Sequence, residues 1–99
     1  MKISAKVPAE IIPVTFDYSE MLPATATLSI VSTSIAVITG TDASAATMLF
    51  GSPVLDGLTV VQLVRNGVAG ATYNLACLVA VGQEKYQIDG NMDCKVRHS

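Results

Sequence analysis

The chain has 99 residues, enough for one domain, and a chain of this size buries roughly 65% of its unfolded surface, so one core forms without a disulfide or metal framework. Charged residues make up 14% and hydrophobic residues 51%, with 5% aromatics and no Trp; an average soluble domain carries about 25% charge. A net charge of −2 without a basic run excludes the electrostatic footprint of a nucleic-acid binder, and the shortage of charge leans towards a subunit whose surface is partly covered in an assembly.

In chain order, residues 1–9 read as an extended N-terminal arm, and residues 10–97 as a single domain. Met1 to Pro8 contain no apolar run of the kind a signal peptide needs, so synthesis in the cytoplasm is expected. Residues 10–17 form a first strand with Ile12, Val14 and Phe16 inward. Pro13 cannot donate to a ladder, which places this strand at an edge or at a change of partner. Residues 18–23 are a connector, with Ser19 as cap of any short helical turn. Residues 24–32 alternate, with Ala26, Leu28 and Ile30 on one face, and residues 34–39 form a second β-branched run. The uncharged stretch from Met21 to Thr41 is broken by Pro23 and many Thr and Ser, so strands explain it better than a membrane helix. Residues 40–46 read as a loop, or as a short helix because Ala is a good helix former. Residues 47–50 are a short strand ending at Gly51-Ser52-Pro53, Asp56-Gly57 is a turn, and residues 58–65 are a strand. Both parities of that strand are apolar, the pattern of burial on two sides.

The clearest pattern lies between Asn66 and Val96. Tyr73, Leu75, Cys77, Val79 and Val81 recur at period two, the spacing of one strand face. Gly82 supplies a turn residue tolerant of positive φ. On the return strand Tyr86, Ile88, Met92, Cys94 and Val96 face inward, and Lys85, Gln87, Asp89, Asn91, Asp93, Lys95 and Arg97 face out. Tyr73 opens its strand as the tyrosine of a tyrosine corner does, with its hydroxyl expected to return to backbone a few residues upstream; an ordinary core tyrosine is the alternative. With Val81 paired to Tyr86, Cys77 faces Gly90 and Cys94 faces Tyr73. Four strand positions are roughly 13 Å, beyond the reach of a disulfide, so two free, buried thiols are expected. Short strands separated by frequent turn signals and no 3.6-residue period predict an all-β, antiparallel sandwich of immunoglobulin or fibronectin-III type with about seven strands.

No catalytic, cofactor-binding or metal residues emerge. The one histidine, His98, lies next to the C-terminus. Glu10, Asp17, Glu20, Asp42, Asp56, Glu84, Asp89 and Asp93 are scattered singly. Asp89-Gly90-Asn91-Met92-Asp93 has calcium-like oxygen spacing, but lacks the later glutamate of an EF-hand and fits polar outward strand positions. Gly67 and Gly70 are followed by neither Lys-Ser/Thr nor a helix, so they form no phosphate loop. A cysteine pair without CxxC or a nearby histidine gives no metal site. An enzyme is not expected.

Several short motifs resemble the small fiber-tail adaptor proteins of tailed bacteriophages. They are Lys6-Val7-Pro8-Ala9-Glu10, Val14-Thr15-Phe16-Asp17-Tyr18-Ser19, Ala24-Thr25-Ala26-Thr27-Leu28-Ser29-Ile30, and the segment from Gly67 to Leu78. Residues 40–57 are longer than that family's pattern and depart from it. The resemblance implies a non-enzymatic virion component with an immunoglobulin-like fold, arranged as a symmetric homo-oligomer in a neck or tail ring. There it would attach fibers or other tail parts by protein–protein contacts, with no nucleic acid, membrane or cofactor involved. The N-terminal arm would then dock on a neighbouring subunit. Competing readings are another tail or capsid decoration protein, and an immunoglobulin-like adhesion or carbohydrate-binding module, which would show exposed aromatics and need export.

Overall fold

Runs of Val, Ile and Thr, punctuated by glycine, favour extended backbone over helix. The computed structural model describes residue 3 and residues 5–95. It contains six strands: β1 (Ile12–Asp17), β2 (Ser29–Thr39), β3 (Leu49–Asp56), β4 (Thr59–Val64), β5 (Thr72–Val81) and β6 (Glu84–Asp93), with one 3-10 turn at Ala45–Met48 before β3. All pairings between strands are antiparallel. They build two three-stranded sheets, β1-β4-β3 and β2-β5-β6, packed as a sandwich. With β1 to β6 standing for strands B to G, this is the B-E-D and C-F-G order of an immunoglobulin-type sandwich. In place of a first strand, Lys6 makes a single parallel bridge to Cys94, just beyond β6.

The core lies between the sheets. Phe16 of β1, Val60 and Val64 of β4, and Tyr73, Leu75 and Val79 of β5 are fully buried. The inward set on β5 is the one that period two predicts, and on β6 Met92 is buried while Asp89, Asn91 and Asp93 are exposed. Val96 and Arg97 lie outside the described residues.

Five local expectations change. The strand number is six because residues 24–28 are not a strand and the two runs after them are one strand. Val31 has no partner on β5, since Ile30 pairs with Val79 and Ser32 with Leu78. That bulge shifts the inward parity from Ile30 to Thr33, Ile35 and Val37, which in sequence looks like a break. A second bulge leaves Ile38 unmatched.

The hairpin register is offset by two. Val81 pairs with Glu84 and Cys77 with Ile88, leaving a two-residue loop whose first position, Gly82, has φ 60°, the place where a type II′ turn needs glycine. A shift of two preserves every facing. Cys94 then lies beside Ala71, whose carbonyl accepts its N–H, farther still from Cys77. Both cysteines are free and buried.

β3 does not stop at Gly51-Ser52-Pro53. It runs through them as an irregularity between Phe50, paired with Leu63, and Val54, paired with Val61. The turn after β1 is held by Asp17, whose Oδ1 accepts the Ser19 N–H at 2.9 Å, and not by a Ser19 cap. Finally, β4 is buried on one side only: Val60, Gln62 and Val64 point into the core, whereas Leu63 is exposed on the outer face.

Candidate functional site

The polar groups inside the sandwich serve the fold. Gln62 is fully buried at the β3 irregularity. Its Nε2 donates to the carbonyls of Leu63, Phe50 and Gly51 at 2.9, 3.2 and 3.3 Å, and its Oε1 accepts from Thr33 Oγ1 of the opposite sheet at 2.9 Å. A single amide thus satisfies the widened ladder and ties the two sheets. The sequence gives little sign of it, because Gln62 reads as the polar, outward residue between apolar neighbours.

Lys6 is the second such group. The side chain is 0% exposed, and its Nζ donates to the carbonyls of Asn66, Val7 and Pro8 at 2.7, 2.8 and 3.2 Å. Burial lowers its pKa from the usual 10.5, and Cys94 and Glu10 offset part of that. Its backbone N–H donates to Asp93 and its carbonyl accepts from Lys95, at 2.9 and 2.7 Å. This part of the arm is therefore bound to its own domain.

Tyr73 makes the expected return to backbone: its hydroxyl accepts the Val68 N–H at 2.8 Å and donates to Asp42 Oδ2 at 2.8 Å. Gly67, φ 105°, passes so close that a Cβ would meet Cys94 Sγ and Met48 Cε at 3.1 Å; the backbone approach, not phosphate binding, explains this glycine. Tyr18 is buried and donates to the Cys77 carbonyl at 2.6 Å. Burial raises the pKa of both tyrosines and of Cys77 and Cys94, so the thiols are held in their unreactive form.

The single carboxylates do not converge. Glu10 accepts the Val7 N–H, and Asp42 accepts from Tyr73 and from the Ser44 N–H. Asp89, Asn91 and Asp93 alternate along the outer face of β6 and meet β5. Asn74 Nδ2 donates to Asp89 and Asn91 at 3.2 and 3.0 Å, and Thr72 Oγ1 donates to Asp93 at 2.9 Å. Among the described residues no group of three or more His, Cys, Asp or Glu is placed to hold a metal. His98 lies outside the described residues. A pocket of about 370 Å³ beside β1 is lined by Thr15, Asp17, Glu20, Met21 and Ile88, and its Asp17 carboxylate accepts the Ser19 N–H.

What remains are surfaces. β2 is eleven residues long, carries no charged side chain, and among the described residues is hydrogen-bonded to a strand on one side only. Its bulged residues Val31 and Ile38 are 47% and 56% exposed. The outer face of the β1-β4-β3 sheet carries Phe50, Leu63 and Val54, which are 38%, 40% and 62% exposed, with the Arg65 guanidinium 4.6 Å from the Phe50 ring centre. No family model, no curated protein and no solved structure matches this chain.

Proposed function

We propose that this chain is a structural virion protein of a tailed phage, an adaptor that attaches fibers or other tail parts in a multi-subunit neck or tail ring. The observation that carries the reading is the β2 edge: eleven uncharged residues open to strand addition. Backbone edges of this kind recruit an extended partner segment through main-chain hydrogen bonds. The bulges at Val31 and Ile38 twist the edge and present two apolar side chains, which restricts pairing to a segment that fits them. Weak edge contacts repeated around a ring become a firm attachment. The motif resemblance to fiber-tail adaptors points the same way. A non-enzymatic role accords with buried tyrosines and cysteines whose polar groups are engaged inside the fold.

A glycan-binding module is less well supported. Phe16, Tyr18 and Tyr73 are buried, and the exposed ring of Phe50 lies under Arg65.

Light scattering on dilute purified chain, alone and then with phage neck and tail proteins, tests the proposal. A defined ring-sized complex that forms with those proteins, and is lost when Val31→Lys and Ile38→Lys place charge on the β2 edge, is the expected result. A chain that ignores them overturns it.

A further inference from the structure

The outer face of the β1-β4-β3 sheet is apolar in its middle and oppositely charged at its ends. Along β4, Val61 and Leu63 point outward. They are flanked by their ladder partners Thr15 and Pro13 on β1 and Val54 and Phe50 on β3. At one end Thr59 sits between Asp17 and Asp56. At the other, Arg65 follows Val64 and leans towards β3, with its Nε donating to the Thr47 carbonyl at 3.2 Å and its guanidinium over Phe50.

We infer that a second copy of this chain docks on this face, sheet against sheet, about a two-fold axis that lies between the sheets and runs perpendicular to the strands. The charges select that axis. A two-fold parallel to the strands would bring the two Arg65 ends together and lay Asp56 over the partner's Asp17. A perpendicular axis keeps β3 over β3 but reverses its direction, so each Arg65 meets the partner's Asp56 end, twice by symmetry. Val61 of one copy then covers Leu63 of the other. The pairing closes on itself and leaves both β2 edges open, so it does not depend on the adaptor reading.

Its strength follows from its size. The six residues of β4, at about 3.3 Å each, and three strands about 4.8 Å apart span on the order of 300 Å² of sheet. A stable complex takes roughly 800 Å² from each partner. The pair is therefore weak, and forms at high protein concentration or where copies are already held close together.

Sedimentation equilibrium of the full chain over rising concentration tests this. The expected weight-average mass climbs from 10.3 kDa to twice that value and stops. Arg65→Asp or Asp56→Arg alone holds the mass at that of the monomer at concentrations where the unaltered chain pairs, and the double variant restores pairing. Rescue by the charge swap is something a purely structural role of either residue would not produce. Asp56 is an exposed strand end, and Leu63→Lys provides a second exposed position should Arg65→Asp fold poorly; it too is expected to be monomeric. A monomer at every concentration, an association that proceeds past the dimer, or a dimer indifferent to these charges overturns the inference.

Discussion

The two outward faces of the sandwich differ in what their side chains are committed to. On the β2-β5-β6 sheet, polar groups bond to one another within the molecule: Asn74 holds Asp89 and Asn91, and Thr72 holds Asp93. Small residues, Ser32, Ser34 and Ala36 of β2 and Ala76 of β5, lie beside them, with Leu78 of β5 the large apolar side chain among them. On the β1-β4-β3 sheet the corresponding positions are Phe50, Val54 and Leu63, which have no such bonds to make and lie open to water, with the half-buried Val61 between them. Antiparallel sheets tolerate one solvated face when it is polar. A solvated face that is apolar stabilises the molecule only when something covers it. The first face is thus satisfied within the molecule, and the second is the one we propose for association.

Substitutions break or sharpen this contrast. The largest effect is expected beneath the apolar face, at Gln62→Leu. The carbonyls of Phe50, Gly51 and Leu63 and the Thr33 hydroxyl lose their buried partner, which costs about 2–3 kcal/mol, read from the midpoint of urea unfolding. Next comes alkaline pH, which weakens both sheets through their shared core. The folded state keeps protons on Tyr18, Tyr73, Cys77 and Cys94, whose pKa values are raised. The unfolded chain releases them near the ordinary values of 9.0 for cysteine and 10.0 for tyrosine. Their stabilisation is complete below about pH 9 and falls as the pH rises through and beyond those values. Lys6, with its lowered pKa, acts in the opposite sense, but four groups oppose one. Urea midpoints measured at rising pH should therefore decline, with the tyrosinate absorbance of the buried Tyr18 and Tyr73 appearing only as the protein unfolds.

On the polar face, Asn74→Ala is expected to cost about 0.5–1 kcal/mol and to leave self-association unchanged. On the apolar face, Leu63→Ser changes stability by less than about 0.5 kcal/mol, yet weakens pairing at least several-fold in sedimentation. Equal effects of Asn74→Ala and Leu63→Ser on both readouts would erase the distinction between the faces.

Much of the fold is legible from residue periodicity. The alternation from Tyr73 to Val79 and its charged counterpart on β6 define the hairpin and its facing, and Pro13 marks β1 as an edge strand. Two features hide behind local chemistry. A bulged residue such as Val31 is as β-branched as its neighbours, so the parity change it causes looks like the end of one strand and the start of another. In β4 the usual rule is inverted: Gln62 points in, because three carbonyls and a hydroxyl await it, while Val61 and Leu63 point out. The hairpin register escapes for a different reason, since loops of two and four residues put the same side chains on the same face. Of the surfaces, the β2 edge is visible as the long uncharged run between Glu20 and Asp42, whereas the apolar outer face is masked by the inversion in β4.

The bridge between Lys6 and Cys94 has a mechanical consequence. The two segments run in the same direction, so tension drawn outward along the backbone from Ala5 and from Lys95 slides them past each other and does not peel them apart. The Lys6 N–H to Asp93 and Lys95 N–H to Lys6 bonds are then loaded together, along with the Asn66 carbonyl gripped by the Lys6 ammonium. Resistance to forced unfolding is set by the barrier to that first slip. It is concentrated where one lysine, Lys6, ties its segment to the end of β6 and to the Asn66 carbonyl.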